Sequence, residues 1–130
     1  MAEIKDFKVG QTVYVRITGN EARGKNKDEL IQKWVVSKIG KKYVYAKPSN
    51  DSWQEVCFGK DEYTGKFNQK TNYCVDYILY LNRQEIEDEN EQSELWKKIA
   101  DVFRRYGINY KVSLEQLRRI NAILKESENN

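Results

Sequence analysis

The sequence contains no histidine. That absence removes the commonest general base, the His-assisted serine and cysteine nucleophiles, and histidine metal ligands. Cysteine is scarce as well: Cys57 and Cys74 are the two thiols, with no zinc-type spacing between them. No glycine-rich segment has the pattern that cradles phosphates. No apolar run approaches membrane-spanning length, and no secretory leader precedes the first charged residues. These absences read as a cytoplasmic, non-enzymatic protein with no cofactor and no metal. The thiols sit in apolar stretches (Val56-Cys57-Phe58 and Tyr73-Cys74-Val75) and are expected to be reduced and buried. One catalytic option remains, a small hydrolase using loop carboxylates. Asp51, Glu55, Asp61 and Glu62 form the nearest cluster.

What is present is a folded domain's composition. Of 130 residues, 39% are hydrophobic, and nine tyrosines and three tryptophans supply large surfaces to bury. The formal net charge of +3 is too small to identify a partner. Its distribution says more. Residues 1–47 carry eleven Lys and Arg against five Asp and Glu, whereas residues 82–130 carry nine against ten. The first part therefore has a field that attracts polyanions.

The rhythm changes near Asn82. Before it, β-rich runs alternate with turns. Gln11–Thr18 shows a period of two, with Val13, Val15 and Ile17 on one face. A basic loop from Glu21 to Glu29 follows. The spacing predicts strands over Leu30–Lys38 and Tyr43–Ala46, joined by a hairpin through Gly40. The single proline, Pro48, ends the third. Trp53–Phe58 and Tyr73–Leu81 read as the fourth and fifth, with a loop over Gly59–Asn72. Five short strands suggest a small closed barrel of SH3-like type, because closure removes exposed edges. An OB-like barrel is the alternative, but no helical pattern separates strands three and four.

After Asn82 come two helices with clear starts. Asn82 and Glu85 form a capping box, with Leu81 and Ile86 as a hydrophobic staple. The apolar stripe continues through Leu95, Trp96, Ile99, Phe103 and Tyr106, and Gly107-Ile108 suits a Schellman ending. Ser113 and Gln116 repeat the box, followed by Leu114, Leu117, Ile120 and Leu124. The expected fold class is α+β, mainly β: an SH3-like five-stranded barrel over residues 1–81 and a two-helix extension over 82–130 packed on it. Trp96 is the expected core anchor of that extension.

Several stretches together resemble a known group: Val9-Gly10-Gln11-Thr12-Val13-Tyr14-Val15, Gly19-Asn20-Glu21-Ala22-Arg23, Ile39-Gly40-Lys41-Lys42-Tyr43-Val44-Tyr45 and Lys70-Thr71-Asn72-Tyr73, with Leu79-Tyr80-Leu81 leading into the helix. They resemble uncharacterised small β-barrel domain proteins of phages and mobile elements of Gram-positive bacteria. The resemblance covers most of the chain and transfers no functional residue. A phage setting implies a compact protein that blocks a host factor or defence system, as anti-CRISPR proteins do.

The expected function is non-enzymatic macromolecule binding, with a host protein or nucleoprotein as partner. A nucleic-acid-binding SH3-like barrel module is the alternative. The expected binding set has two parts. Arg16, Arg23, Lys25, Lys27, Lys41, Lys42, Tyr43 and Tyr45 supply cations and outward aromatics. Glu85, Glu87, Asp88, Glu89 and Glu91 form an acidic strip that could imitate phosphates.

Overall fold

Alternating valines and isoleucines become the wall of a closed barrel. The computed structural model describes residues 2–106 and 112–128. The chain divides into two compact units, residues 1–90 and 91–130. The first holds six antiparallel strands: β1 (Thr12–Ile17), β2 (Ile31–Ile39), β3 (Tyr43–Lys47), β4 (Val56–Lys60), β5 (Phe67–Gln69) and β6 (Tyr77–Tyr80). Each pairs with the next, and β6 closes on β1 with Val15 opposite Leu79. None of these six strands is left with an open edge.

The period-two pattern decides which side chains enter the barrel. Val13, Val15, Ile17, Trp34, Val36, Val44, Ala46, Phe58, Phe67 and Leu79 are buried. Each large apolar side chain so buried contributes roughly 1.5–3 kcal/mol. Trp34 packs edge-on to Phe58 with ring centroids 6.2 Å apart, and Phe7 packs edge-on to Phe67 at 5.1 Å. The Trp34 indole N–H is satisfied by Gln32 Oε1 at 3.1 Å. A register shift between Val36 and Lys38 marks a bulge in β2. It brings Lys38 opposite Tyr45 on the outer face.

Six strands form where five were expected, and the physical reason is β5. It is three residues long and two of them, Asn68 and Gln69, are polar. Phe67 alone enters the core, so no alternation is visible. The fourth strand begins at Val56, and Trp53 lies outside it, 94% exposed. The last begins at Tyr77, leaving Tyr73 in the preceding loop. The basic loop after β1 is not featureless: two short 3-10 turns occupy Gly19–Ala22 and Lys27–Leu30. The thiols are less buried than expected. Cys57 points outward from β4 and is half-buried, and Cys74 is exposed.

Gly19 needs to be glycine. Its φ is +57°, and a Cβ there would lie 2.5 Å from Cys74 Sγ and 2.8 Å from the Val75 carbonyl oxygen. The segment before β6 grips this turn further. Thr18 donates its backbone N–H to the Asp76 carbonyl at 2.7 Å and its hydroxyl to the Val75 carbonyl at 2.8 Å.

α1 (Arg83–Tyr106) starts where the capping signals placed it. Asn82 Oδ1 accepts from the Glu85 N–H at 3.0 Å, and Ile86 is fully buried. The first two turns are fixed to β1 and β6 by one polar cluster. Arg16 donates to the Ile86 carbonyl at 3.2 Å and to Asn90 Oδ1 at 2.9 Å, and pairs with Glu89 at 3.1 Å. Lys66 reaches the other Glu89 oxygen at 3.1 Å, and the Tyr80 hydroxyl donates to Glu89. This cluster lies within the first unit, which continues past the barrel's last strand to Asn90.

The second unit comprises the rest of α1 and α2 (Leu114–Glu128). The Ser113 capping box is complete: Gln116 N–H donates to Ser113 Oγ at 3.1 Å, and Ser113 N–H donates to Gln116 Oε1 at 2.9 Å. The expected ending at Gly107-Ile108 lies outside the described residues. Trp96 is not a buried anchor: it is 65% exposed. It shares its stripe with Leu95, Ile99 and Phe103. No helix among the described residues is long and apolar enough to cross a membrane.

Candidate functional site

From Leu30 to Asn50 the chain carries five lysines and no carboxylate. The fold turns this run into one surface. It forms β2, the hairpin at Gly40–Lys42, and β3, whose odd-numbered side chains point outward because Val44 and Ala46 point in. Tyr43 and Tyr45 therefore stand on the outer face, Lys41 and Lys42 are exposed at the hairpin, and Lys38 and Lys47 flank the tyrosines.

Each tyrosine is held in place. The Tyr43 ring lies against the backbone of Gly59 on β4, so close that a Cβ there would sit 3.0 Å from the ring. Glycine in a strand interior marks this close approach. The Lys70 ammonium sits 5.7 Å from the centroid of that ring, and the Lys38 ammonium 5.1 Å from that of Tyr45. Cation–π contacts of this kind keep lysine and aromatic together on one patch. The Tyr45 hydroxyl titrates above the ordinary tyrosine value, first because of the Cys57 thiol beside it. It stays neutral at working pH and sets no negative charge among the lysines.

Beside Tyr43 opens a cleft of about 580 Å³ across β3, β4 and β5. Lys41, Lys42, Lys60 and Lys70 line it, together with Asp61, Glu62, Gly59 and Asn68. Asn68 donates to Asp61 Oδ2 at 3.3 Å, and its own Oδ1 is buried without a partner. Lys60 pairs with Glu3 from the N-terminal segment. Lys38, Lys60 and Lys70 and the Gly59 platform are members of this surface that the sequence reading missed. The signal was available in part: the carboxylate-free run contains Lys38. Lys60 and Lys70 join only through the pairing of β4 with β5.

The other expected residues fall elsewhere. Arg23, Lys25 and Lys27 lie on the β1–β2 loop, at the barrel end opposite the Lys41-Lys42 hairpin, since β2 runs between them. Glu21, Asp28 and Glu29 share that loop and cancel its formal charge. Arg16 faces α1 and is matched there by Glu89. In the acidic strip, Glu87 pairs with Arg83 at 3.0 Å and Asp88 accepts from Gln84 at 2.8 Å. Glu89 is held by Arg16, Lys66 and Tyr80, while Glu85 and Glu91 complete the strip on either side of the 90/91 division.

The carboxylates considered for hydrolysis flank β4, Asp51 and Glu55 before it and Asp61 and Glu62 after it. Glu55 accepts from Ser37 Oγ at 2.7 Å just before that strand. Asp61 shapes the turn after it, accepting from the N–H groups of Tyr63 at 2.8 Å and Thr64 at 3.1 Å. That is the turn-forming use of aspartate. Near the strand ends, Trp53, Tyr63 and Tyr73 are 94%, 99% and 89% exposed, large rings with little to cover them.

No curated protein and no solved structure matches the chain. A family match does, and it runs over residues 1–129, barrel and helices together. The chain thus belongs to the phage ProQ C-terminal-like domain family.

Proposed function

We propose that this phage-family domain binds single-stranded nucleic acid on the outer face of β2, β3 and β4. The observation that carries the reading is the carboxylate-free run from Leu30 to Asn50, folded so that Tyr43 and Tyr45 stand among Lys38, Lys41, Lys42 and Lys47. Phosphates are drawn by lysine point charges, and unpaired bases stack on aromatic faces at roughly 1–3 kcal/mol each. Rings already fixed against Gly59 and beside lysines lose little freedom on stacking. Arg23, Lys25 and Lys27 add a second, charge-balanced contact region at the far end of the barrel.

The rival is a phage-encoded inhibitor of a host protein or nucleoprotein, using the barrel cations and the acidic start of α1. The pairing of Glu87 with Arg83, and of Glu89 with Arg16 and Lys66, weakens it, because a phosphate mimic needs unpaired charge. Fluorescence anisotropy with labelled single-stranded and duplex oligonucleotides separates the readings. A single-strand preference, with affinity falling steeply as salt rises, supports the nucleic-acid reading. Absence of binding at low salt, with a protein partner recovered from nuclease-treated lysate, contradicts it.

A further inference from the structure

The cleft beside Tyr43 has two unlike ends. At one, Asp61 and Glu62 open the turn from β4 to β5 and put carboxylates in its wall. At the other, Lys70 and Thr71 open the segment from β5 to β6 and line it too. The Lys70 ammonium is the group that reaches the Tyr43 ring, 5.7 Å from its centroid. A polyanion lying over Tyr43 is repelled at the first end and drawn out at the second.

The β5–β6 segment leads to the other cationic region. Each strand of this barrel pairs antiparallel with the next, so the β1–β2 and β5–β6 connections share one end. There they touch. A Cβ on Gly19 would lie 2.5 Å from Cys74 Sγ, and the Glu21 N–H donates to Asp76 Oδ1 at 3.3 Å. The same β1–β2 loop carries Arg23 and Lys25, which form no ion pair among the described residues. Between the cleft and this contact stands Tyr73. Its N–H is held by Thr71 Oγ1 at 3.1 Å, while its ring is almost fully exposed. Exposure alone does not single it out, since Tyr63 is as bare. Position does: Tyr73 lies between two sets of cations, whereas Tyr63 lies beyond Asp61 and Glu62.

We infer that the two cationic regions are one track, along which a bound single strand leaves the cleft over Lys70, stacks a base on Tyr73 and ends at Arg23 and Lys25. The track rests on the nucleic-acid reading of the β2–β4 face and gives it a direction and a length. It crosses the barrel from β3 by way of β4 and β5 toward the end of β1. Lys70 and Cys74 are four positions apart, at most about 14 Å of chain. Added reach of that size takes about four nucleotides at the roughly 3.4 Å rise of a stacked strand. Every base has a face to lay on Tyr73, so the extension adds affinity without adding sequence preference.

The test is fluorescence anisotropy with labelled thymidylate oligomers of graded length, about 4 to 16 nucleotides, the span of single-domain single-strand sites. Wild-type affinity should rise with length and then level off. Tyr73→Ala should weaken the longest oligomer on the order of tenfold and leave the shortest unchanged. Tyr73→Phe keeps the ring and should bind both as the wild type does. Arg23→Gln with Lys25→Gln should lower the slope of log affinity against log salt by up to about two, on the longest oligomer only. Tyr63→Ala should alter neither length. If Tyr73→Ala and the Arg23/Lys25 double variant leave the longest oligomer's affinity unchanged while Lys41→Gln with Lys42→Gln weakens it, the face reading stands and the track is wrong. Loss at Tyr63 instead of Tyr73, or equal loss on short and long oligomers, also overturns the track. No binding at any length overturns the face reading and the track together.

Discussion

The barrel and the helical pair use the same kinds of apolar residue to opposite ends. In the barrel, period-two alternation and closure place Val13, Trp34, Val44 and Phe58 where less than 2% of each remains exposed. In the helical unit, Trp96, Ile99 and Leu124 keep half or more of their surface in water. The difference lies in the number of layers. A closed sheet is its own second layer, whereas two helices in one layer have a face left over. Burial thus belongs to the topology around a residue as much as to the residue itself.

Truncation in the two regions should separate them most sharply. Phe58→Ala removes a ring from the closed core and should destabilise the barrel by roughly 3–5 kcal/mol, read from chemical denaturation. Trp96→Ala should leave that barrel transition in place, since the indole is 65% exposed. Equal losses from both would erase the contrast.

The junction between strand and helix should rank next. Glu89→Gln leaves Arg16 and Lys66 without their shared carboxylate and should cost about 1–3 kcal/mol. Gly19→Ala should cost a similar amount, roughly 1–3 kcal/mol, because the new methyl meets Val75 backbone and Cys74 Sγ. The same cluster predicts a pH dependence. Burial, then the hydrogen bond to Glu89, raises the Tyr80 hydroxyl above the ordinary 10.0. The folded state therefore holds this proton more tightly than the unfolded chain. Its contribution is intact below pH 10 and lost progressively above it. Tyr80→Phe should flatten the alkaline fall in stability, and an unchanged slope would remove Tyr80 from the account.

Smaller effects test the surface. Lys41→Gln and Lys42→Gln should leave stability within about 0.5 kcal/mol. Each should lower the slope of log affinity against log salt by about one if it contacts a phosphate. Glu3→Gln should change nothing measurable, because the Lys60–Glu3 pair is exposed.

Much of this was legible in the sequence where a single local rule applied. Val13-Tyr14-Val15 alternates, so its inward face was readable, and Asn82 and Ser113 cap their helices as their spacing required. The outward placement of Tyr43 and Tyr45 followed from the same period. β5 was not legible, because one inward phenylalanine makes no pattern. Lys60 and Lys70 were not either: their place beside Tyr43 depends on the pairing of β4 with β5 and on Gly59 admitting the ring. Arg16 and Glu89 look like surface charges in sequence and meet only because β1 closes on β6 beneath α1. Trp96 failed in the other direction. Its helical stripe was read correctly, but periodicity shows that a face is apolar without showing what covers it.

Hydrogen exchange on the full chain tests the division of roles between the two regions most directly. Single-stranded oligonucleotide should slow exchange over residues 38–47, 56–60 and 67–71 and leave 91–106 and 112–128 unchanged. Oligonucleotide protection concentrated on the helices, or none over residues 38–47, would contradict the account.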